Sequence, residues 1–414
     1  MLKNLILVGD GMADFPLPEL DGRTPLEVGK TPSMDQMARS GITGLFCPIP
    51  EGLPPGSDIG NLSLFGYNPR TTFSGRAPLE AARQGILLSP DEVAFRCNLV
   101  TLQDGTMVDF TSGHIANEEA HQLIQSLNQS LPALPAKFHP GVSYRHLAIV
   151  SARGASVEEL VGLKCTPPHD ITGQAYAPHL PAGPGADVIH EIMQHSQAVL
   201  QNHQINLARR QSGKPPATSV WLWGQGRSPS MENYSQRFGL AGAVISAVDL
   251  VKGIGVCAGL EVVNVPGATG YLDTDYAGKT AAALEALERL DFVYLHVEAP
   301  DEVSHEGRID LKIQAIEDFD AKVVGPCLEH VRTHGNCRML VAPDHITAIH
   351  TKTHATGAVP FVVCGAGIEP NGATAYSERA AQQTGLHLAE GYQLVQKLLQ
   401  AAHDERLTAK MLAQ

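Results

Sequence analysis

The sequence predicts an α/β fold: a mostly parallel sheet sandwiched by helices and interrupted by a smaller inserted α/β domain. Three observations predict it. Short apolar runs alternate with amphipathic helical stretches, the pattern of parallel strands joined by helical crossovers. Three of those runs pass straight into acidic and histidine residues, which places these residues where an open parallel sheet gathers its ligands, outside the carboxyl ends of its strands. Those residues lie before and after a middle stretch of different texture and never within it.

In chain order, the first strand-like run is Leu5–Gly9, which ends at Asp10. The middle stretch carries helical patterns at Glu118–Leu131 and Ala186–Leu207, with strand-like runs at His146–Val150 and Ser219–Trp223. Its connectors are rich in Pro, His and Gly, as in Cys165-Thr166-Pro167-Pro168-His169-Asp170 and Pro181-Ala182-Gly183-Pro184-Gly185. Beyond it come a strand at Leu260–Val265, a helix at Tyr276–Leu290, and the strand Phe292–Val297 that leads to Asp301 and His305. A long helix at Ile309–Arg332 precedes the strand Arg338–Val341, which leads to Asp344-His345. Phe361–Cys364 and a helix at Leu388–Ala402 close the pattern. A chain of 414 residues exceeds one ordinary core. The economical division is a discontinuous domain, 1–80 with 230–414, interrupted by 81–229.

Composition narrows the class. With 43% hydrophobic and 18% charged residues the chain reads as a soluble globular protein. No apolar run has the length of a membrane span, and Met1-Leu2-Lys3-Asn4 leads into a strand rather than a signal peptide. The seven cysteines are scattered and never form Cys-x-x-Cys, so they read as reduced thiols of a cytoplasmic protein. A net charge of −13 argues against nucleic acid or an anionic membrane as partner. An anionic small substrate stays open, because bound divalent cations invert charge locally.

The chemistry lies at the strand ends. Asp10, Asp301 and Asp344 with His305, His345 and His354 form a ligand set for two divalent metals, since carboxylate and imidazole both bind such ions. Asp301-x-x-x-His305 puts both side chains on one face of a helical turn. Asp344 and His345 can share an ion at a strand end, and His354 lies on a Gly-containing loop. Each residue alone also fits a turn, a cap or a surface histidine; three such strand ends by coincidence do not. In Pro54-Pro55-Gly56-Ser57-Asp58-Ile59-Gly60-Asn61, the Gly-Ser precedes a helical pattern and puts a hydroxyl at a helix N-terminus, where anions are favoured. A metal-activated Ser57 could attack phosphorus there; the plainer alternative is a helix cap by Ser57 or Asp58. Gly278-Lys279-Thr280 has no glycine at the spacing of a phosphate-binding loop and reads as a helix opening.

Together, Asp10-Gly11, Gly56-Ser57-Asp58, Asp301-x-x-x-His305, Asp344-His345 and His354 resemble the metalloenzyme core of the alkaline phosphatase superfamily. Within it, the chain is similar to the cofactor-independent phosphoglycerate mutases of the shorter archaeal type. The likeness runs on through Gly75-Arg76-Ala77-Pro78-Leu79-Glu80, Ala94-Phe95-Arg96-Cys97-Asn98 and Pro266-Gly267-Ala268-Thr269-Gly270, and covers nearly the whole length. It implies an alkaline-phosphatase-like fold and two divalent ions, foremost Mn²⁺, with Zn²⁺, Co²⁺ or Mg²⁺ in some relatives. It implies no 2,3-bisphosphoglycerate. One ion would be held by Asp301, His305 and His354, the other by Asp10, Ser57, Asp344 and His345. Ser57 would carry the phosphoryl group between 3-phosphoglycerate and 2-phosphoglycerate, a step of glycolysis, under a lid formed by the inserted domain. Similarity also offers Arg145, Arg227 and Lys252 as anion-binding groups.

One stretch departs from the family pattern. Where many archaeal-type mutases read Asp-Arg-Arg-Ala-Gly-Arg, this chain has Asp109-Phe110-Thr111-Ser112-Gly113-His114, and Asp109 and His114 become its own substrate-facing candidates. Pro167–Gly173 and Val220–Gly226 also resemble a subgroup proposed as homoserine kinases, so the alternative reading is metal-dependent phosphotransfer to another small hydroxy compound.

Overall fold

The computed structural model describes residues 2–130, 134–401 and 406–414. The chain divides into two compact units, Met1–Phe73 with Ser230–Gln414, and Ser74–Pro229.

The first unit is built on an eight-stranded sheet in the order His387–Leu388, Ile42–Phe46, Val359–Gly365, Cys337–Ala342, Lys3–Gly9, Phe292–Val297, Gly242–Ile245, Glu261–Val262. Its pairings are parallel except the two made by Val359–Gly365. The central strand is apolar without alternation because both its faces are covered. Leu5 and Leu7 join a core with the helices Pro32–Ser40, Tyr276–Arg289 and Ile309–Phe319, while Ile6 and Val8, pointing the other way, are equally buried. On that second face the helix Ser57–Leu64 packs, and Phe65 just beyond it stacks on Tyr294 with ring centroids 3.9 Å apart.

The second unit has its own sheet of Thr106–Asp109, Glu92–Gln103, Arg145–Ser151, Ala136–His139 and Ser219–Gly226, and every pairing in it is antiparallel. The helices Asn117–Ser130 and Ala186–Gln201 cover a core that includes Phe95, Leu123, Ile189 and Trp221. The runs near 146–150 and 219–223 therefore belong to an antiparallel sheet here and not to the parallel one.

Several expected elements change at their ends. The Ala186–Leu207 pattern is two helices, Ala186–Gln201 and Gln204–Gln211, and the Leu260–Val265 run pairs only at Glu261–Val262. The helices expected at Glu118–Leu131 and Leu388–Ala402 are Asn117–Ser130 and Tyr392–Gln400; Leu131 and Ala402 lie outside the described residues. The single helix expected over Ile309–Arg332 is interrupted by a π turn, Asp320–Val324, between Ile309–Phe319 and Gly325–His334. Pro326 explains it, since proline has no N–H to give and its ring crowds the carbonyl one turn back. Lys279 lies in the first turns of Tyr276–Arg289, where Asp275 accepts the Gly278 N–H at 2.8 Å, so the Gly-Lys-Thr triplet is indeed a helix opening. All seven cysteines are free, and among the described residues no helix is long and apolar enough to cross a membrane.

The π turn brings the fully buried Asp320 carboxylate to the start of Pro32–Ser40, where it accepts the N–H groups of Ser33 (3.1 Å) and Met34 (2.7 Å). Removing it leaves two helix-terminal donors without acceptors. Asp320→Ala should therefore lose about 1–3 kcal/mol of stability, read as a lower urea midpoint at unchanged m-value; an unaltered midpoint would contradict the capping role.

Candidate active site

Register puts the reactive residues at one sheet edge. Gly9 pairs with Val297 and Val8 with Ala342, so the three neighbouring strands run out together, and each next turns into acidic residues. Asp10 follows directly on the first strand. Asp301 and His305 lie on the helix Ala299–Glu306, on one face as the four-residue spacing requires. Asp344 and His345 follow Cys337–Ala342. His354 is not on a loop as expected: it sits in the short strand Thr353–Ala355, opposite Thr347 of Ile346–Ala348, because the chain folds back there as an antiparallel hairpin.

The side chains converge in two groups, Asp301 with His305 and His354, and Asp10 with Asp344 and His345. In the first, His305 Nε2 is 3.2 Å from Asp301 Oδ2, His354 Nε2 is 3.4 Å from Asp301 Oδ1, and the two Nε2 atoms are 3.1 Å apart. In the second, His345 Nε2 is 3.3 Å from Asp10 Oδ1, 3.4 Å from Asp344 Oδ2 and 3.1 Å from Ser57 Oγ. Ligand bonds of about 2.0–2.2 Å in a tetrahedron separate donor atoms by about 3.3–3.6 Å, close to these spacings. Asp10 Oδ1 is buried and receives no hydrogen bond among the described residues, which leaves its lone pairs for a cation. The donor sets fit divalent metal ions.

The surroundings orient the donors outward. The Nδ1–H of His305 donates to Lys352 O at 2.9 Å, which turns Nε2 toward Asp301 and His354. Thr347 links the two groups: its O–H donates to Asp301 Oδ1, so its oxygen accepts the Nδ1–H of His345 at 3.1 Å. The Gly11 N–H donates to Asp344 Oδ1 at 3.1 Å and the Asn61 amide to Asp344 Oδ2 at 2.7 Å. Ser57 is the first residue of its helix, and Gly56, not a side chain, occupies the cap position. Its hydroxyl is therefore spent on His345 and not on a cap.

Electrostatics follow from burial. Desolvation, then the Asp344 and Asp301 charges, push the Asp10 carboxyl well above the usual carboxylate range. Burial acts the same way on Asp301, but hydrogen bonds from His305 and His354 outweigh it and hold that carboxyl well below its usual range. The hydrogen bond to Asp301 raises His305 to about 9, while burial lowers His345.

A sequence profile of the family described as 2,3-bisphosphoglycerate-independent phosphoglycerate mutase matches residues 38–206. A protein of Geobacter sulfurreducens, named a probable 2,3-bisphosphoglycerate-independent phosphoglycerate mutase, is 50% identical over 96% of this chain and 100% of its own. One of Methanothrix thermoacetophila with that mutase name is 48% identical, over 96% and 100% of the two chains. The chain belongs to this mutase family. Among solved structures, a Pyrococcus horikoshii protein superimposes with a TM-score of 0.79 at 29% identity, covering 96% of this chain and 97% of its own. The cofactor-independent phosphoglycerate mutase of Thermoplasma acidophilum shares the fold at TM-score 0.69 and 23% identity, over 96% and 100% of the chains.

The mutase-type substrate candidates divide between the units. Lys252 is on the helix Asp249–Cys257 of the first unit, largely buried, with Nζ 4.0 Å from Asp249 Oδ1. Arg145, Arg227, Asp109 and His114 belong to the second. Arg145 and His114 flank Tyr144, the guanidinium 5.6 Å and the imidazole 6.0 Å from its ring centre. Arg227 is exposed and 3.7 Å from Glu158. Asp109 has both oxygens engaged: it accepts the Thr111 N–H and O–H and the Gly113 N–H, each at 2.7 Å. Burial opposes ionisation there, but these bonds keep its carboxyl low. They fold Ser112, Gly113 and His114 into three successive left-handed residues.

Sequence reasoning missed Asn61 and Thr347. Both carried a signal in their spacing, Asn61 four residues after Ser57 on one helix face and Thr347 two after His345 on one strand face. A steric demand falls on Gly11, at φ +58°, where a Cβ would stand 2.3 Å from Thr347 Oγ1 and 2.6 Å from Asp301 Oδ1. Gly11→Ala should thus displace Thr347 and Asp301 and lower divalent-metal content, measured by elemental analysis after gel filtration. Full retention of metal would show that the site tolerates the methyl group.

Proposed function

We propose that this chain interconverts 3-phosphoglycerate and 2-phosphoglycerate with Ser57 as the transient phosphoryl carrier and without 2,3-bisphosphoglycerate. The observation that carries the reading is the Ser57 hydroxyl, at a helix N-terminus, 3.1 Å from His345 Nε2 and beside two convergent sets of donor atoms. The mutase name borne by relatives near 50% identity supports the substrate. Two divalent ions, Mn²⁺ foremost, would be held by Asp301, His305 and His354 and by Asp10, Ser57, Asp344 and His345. When bound, they neutralise the phosphoryl oxygens and favour the serine alkoxide.

The chain's own residues do the rest. Ser57 Oγ forms a bond to phosphorus as the bond to the substrate's 3-oxygen breaks, and the proton lost by Ser57 ends on that oxygen. Glycerate then turns, its 2-hydroxyl oxygen bonds to phosphorus as the Oγ–P bond breaks, and the proton leaving that 2-hydroxyl ends on Oγ. The helix N-terminus at Ser57 favours the anionic phosphoryl group throughout. Arg145, His114, Arg227 and Lys252 are proposed to hold the substrate's carboxylate and phosphate, a guanidinium clasping either with two hydrogen bonds. Asp109 is proposed to shape the turn that presents His114. The inserted domain is proposed as the lid that keeps water from taking the phosphoryl group. Seven free thiols support a cytoplasmic location.

Ser57→Ala should lower mutase turnover by a factor on the order of 10³ or more while Mn²⁺ content stays near wild type. Mass spectrometry of quenched wild-type enzyme should show phosphoserine at Ser57. Absence of 2-phosphoglycerate formation by Mn²⁺-loaded protein, with turnover on homoserine plus ATP, would favour the alternative substrate. Arg145→Ala, removing one charge-assisted contact of about 1.5–3 kcal/mol, should lower kcat/KM by about 10- to 150-fold. Unchanged kcat/KM would remove Arg145 from the substrate site.

A further inference from the structure

Behind Asp10 a buried polar chain runs away from the donor atoms. His296 is fully buried in the otherwise apolar strand Phe292–Val297. Its Nε2 lies 2.8 Å from Asp10 Oδ2, and its Nδ1 lies 3.1 Å from Ser246 Oγ. An ionised Asp10 oxygen can only accept, so the Nε2–H of His296 donates to Asp10 Oδ2. In the neutral ring Nδ1 then accepts, and the Ser246 O–H donates to it while Ser246 Oγ accepts the Val248 N–H at 2.9 Å. The carboxylate is held by one oxygen, and the other, Oδ1, is the buried atom that receives no hydrogen bond and faces His345.

We propose that His296, oriented by Ser246, is a positioning residue that fixes the Asp10 carboxylate so that Oδ1 is presented to a divalent cation shared with Asp344 and His345. The inference rests on the metal reading above and adds to it the group that aims the ligand. The same strand face repeats the device. Tyr294, two residues earlier and so on that face, donates its O–H to Asn61 Oδ1 at 2.6 Å, which leaves the Asn61 amide to donate to Asp344 Oδ2. Two carboxylates of one donor set are thus steadied from a single strand. A histidine that merely filled space would need neither the serine nor the aspartate.

The test compares Mn²⁺ binding by titration calorimetry and the Mn²⁺ electron paramagnetic resonance spectrum in the full chain, wild type against His296→Leu and His296→Gln. Leu keeps bulk but no donor, whereas the Gln amide nitrogen reaches about where Nε2 stands. One class of Mn²⁺ site should weaken about 10- to 100-fold in His296→Leu, with an altered spectrum, and His296→Gln should recover most of the affinity. Unfolding midpoints measured in chelator separate this from lost stability. Should His296→Leu not fold, Ser246→Ala serves instead, with a several-fold loss expected and wild-type affinity overturning the inference. Wild-type affinity in His296→Leu, or equal losses in the Leu and Gln variants, overturns the positioning role and leaves the metal reading intact. A wild-type chain that takes up no Mn²⁺ overturns both.

Discussion

Three carboxylates withdrawn from water set the terms for everything around them. Asp10, Asp301 and Asp344 are each 5% exposed or less, and they meet at one sheet edge with three imidazoles for company. Removing an ion from water costs several kcal/mol even after relaxation, and like charges at this range add to the cost. Two of them answer differently: burial and neighbouring charge push the Asp10 carboxyl up, while the His305 and His354 hydrogen bonds hold Asp301 down. Divalent cations would favour the ionised form of all three, as the largest local charges. A net charge of −13 is therefore no obstacle to a phosphorylated, carboxylated substrate, whose partner would be the metal-loaded edge and not the bare chain.

The rest of the first unit can be understood as the means of bringing these groups together. Parallel pairing with matched ends does it for Asp10, Asp301 and Asp344, and no antiparallel neighbour could, since its carboxyl end would lie at the opposite edge. Close approach does the remainder. A Cβ on Gly60 would stand 2.1 Å from the Asp344 carbonyl oxygen, so only glycine lets the Ser57 helix come this near to the strand end that carries Asp344 and His345. Thr347 then ties the two donor groups into one unit through its single hydroxyl.

Which of this was legible in the sequence has a physical pattern. Asp10, Asp301 and Asp344 were legible because each interrupts an apolar run at the point where a strand must end, and Asp301-x-x-x-His305 because helical spacing needs no tertiary knowledge. His296 was not, because a strand buried on both faces reads as one apolar block in which a lone histidine passes for filler. Tyr294 was hidden for the same reason, and Asn61 by a stretch whose interest lay in Ser57. The antiparallel sheet of the second unit was illegible for a different cause: pairing direction is a long-range property that local patterns of alternation do not encode. The break at Asp320–Val324 was readable in principle, from Gly325-Pro326 inside a helical pattern.

The same contrast separates reaction from selection. Of the groups assigned to the chemistry, Asp10, Asp301, Asp344 and His345 are buried at the strand ends, and several are held by a second group: His305 by Lys352 O, His345 by Thr347, Asp344 by Asn61 and Gly11, Asp10 by His296. A shift in any of them is resisted from several directions, which is what transition-state geometry demands. Lys252 apart, which is largely buried on its helix, the groups assigned to the substrate sit differently. Arg145 is exposed at the first residue of its strand, His114 ends a left-handed turn shaped by Asp109, and Arg227 is exposed just beyond Ser219–Gly226. Such positions accept substitution at little cost to the fold. The Asp109–His114 turn is held by hydrogen bonds to the Asp109 carboxylate. The groups proposed for phosphoryl transfer thus lie mainly in buried positions, whereas Arg145 and Arg227, proposed for the substrate, are exposed.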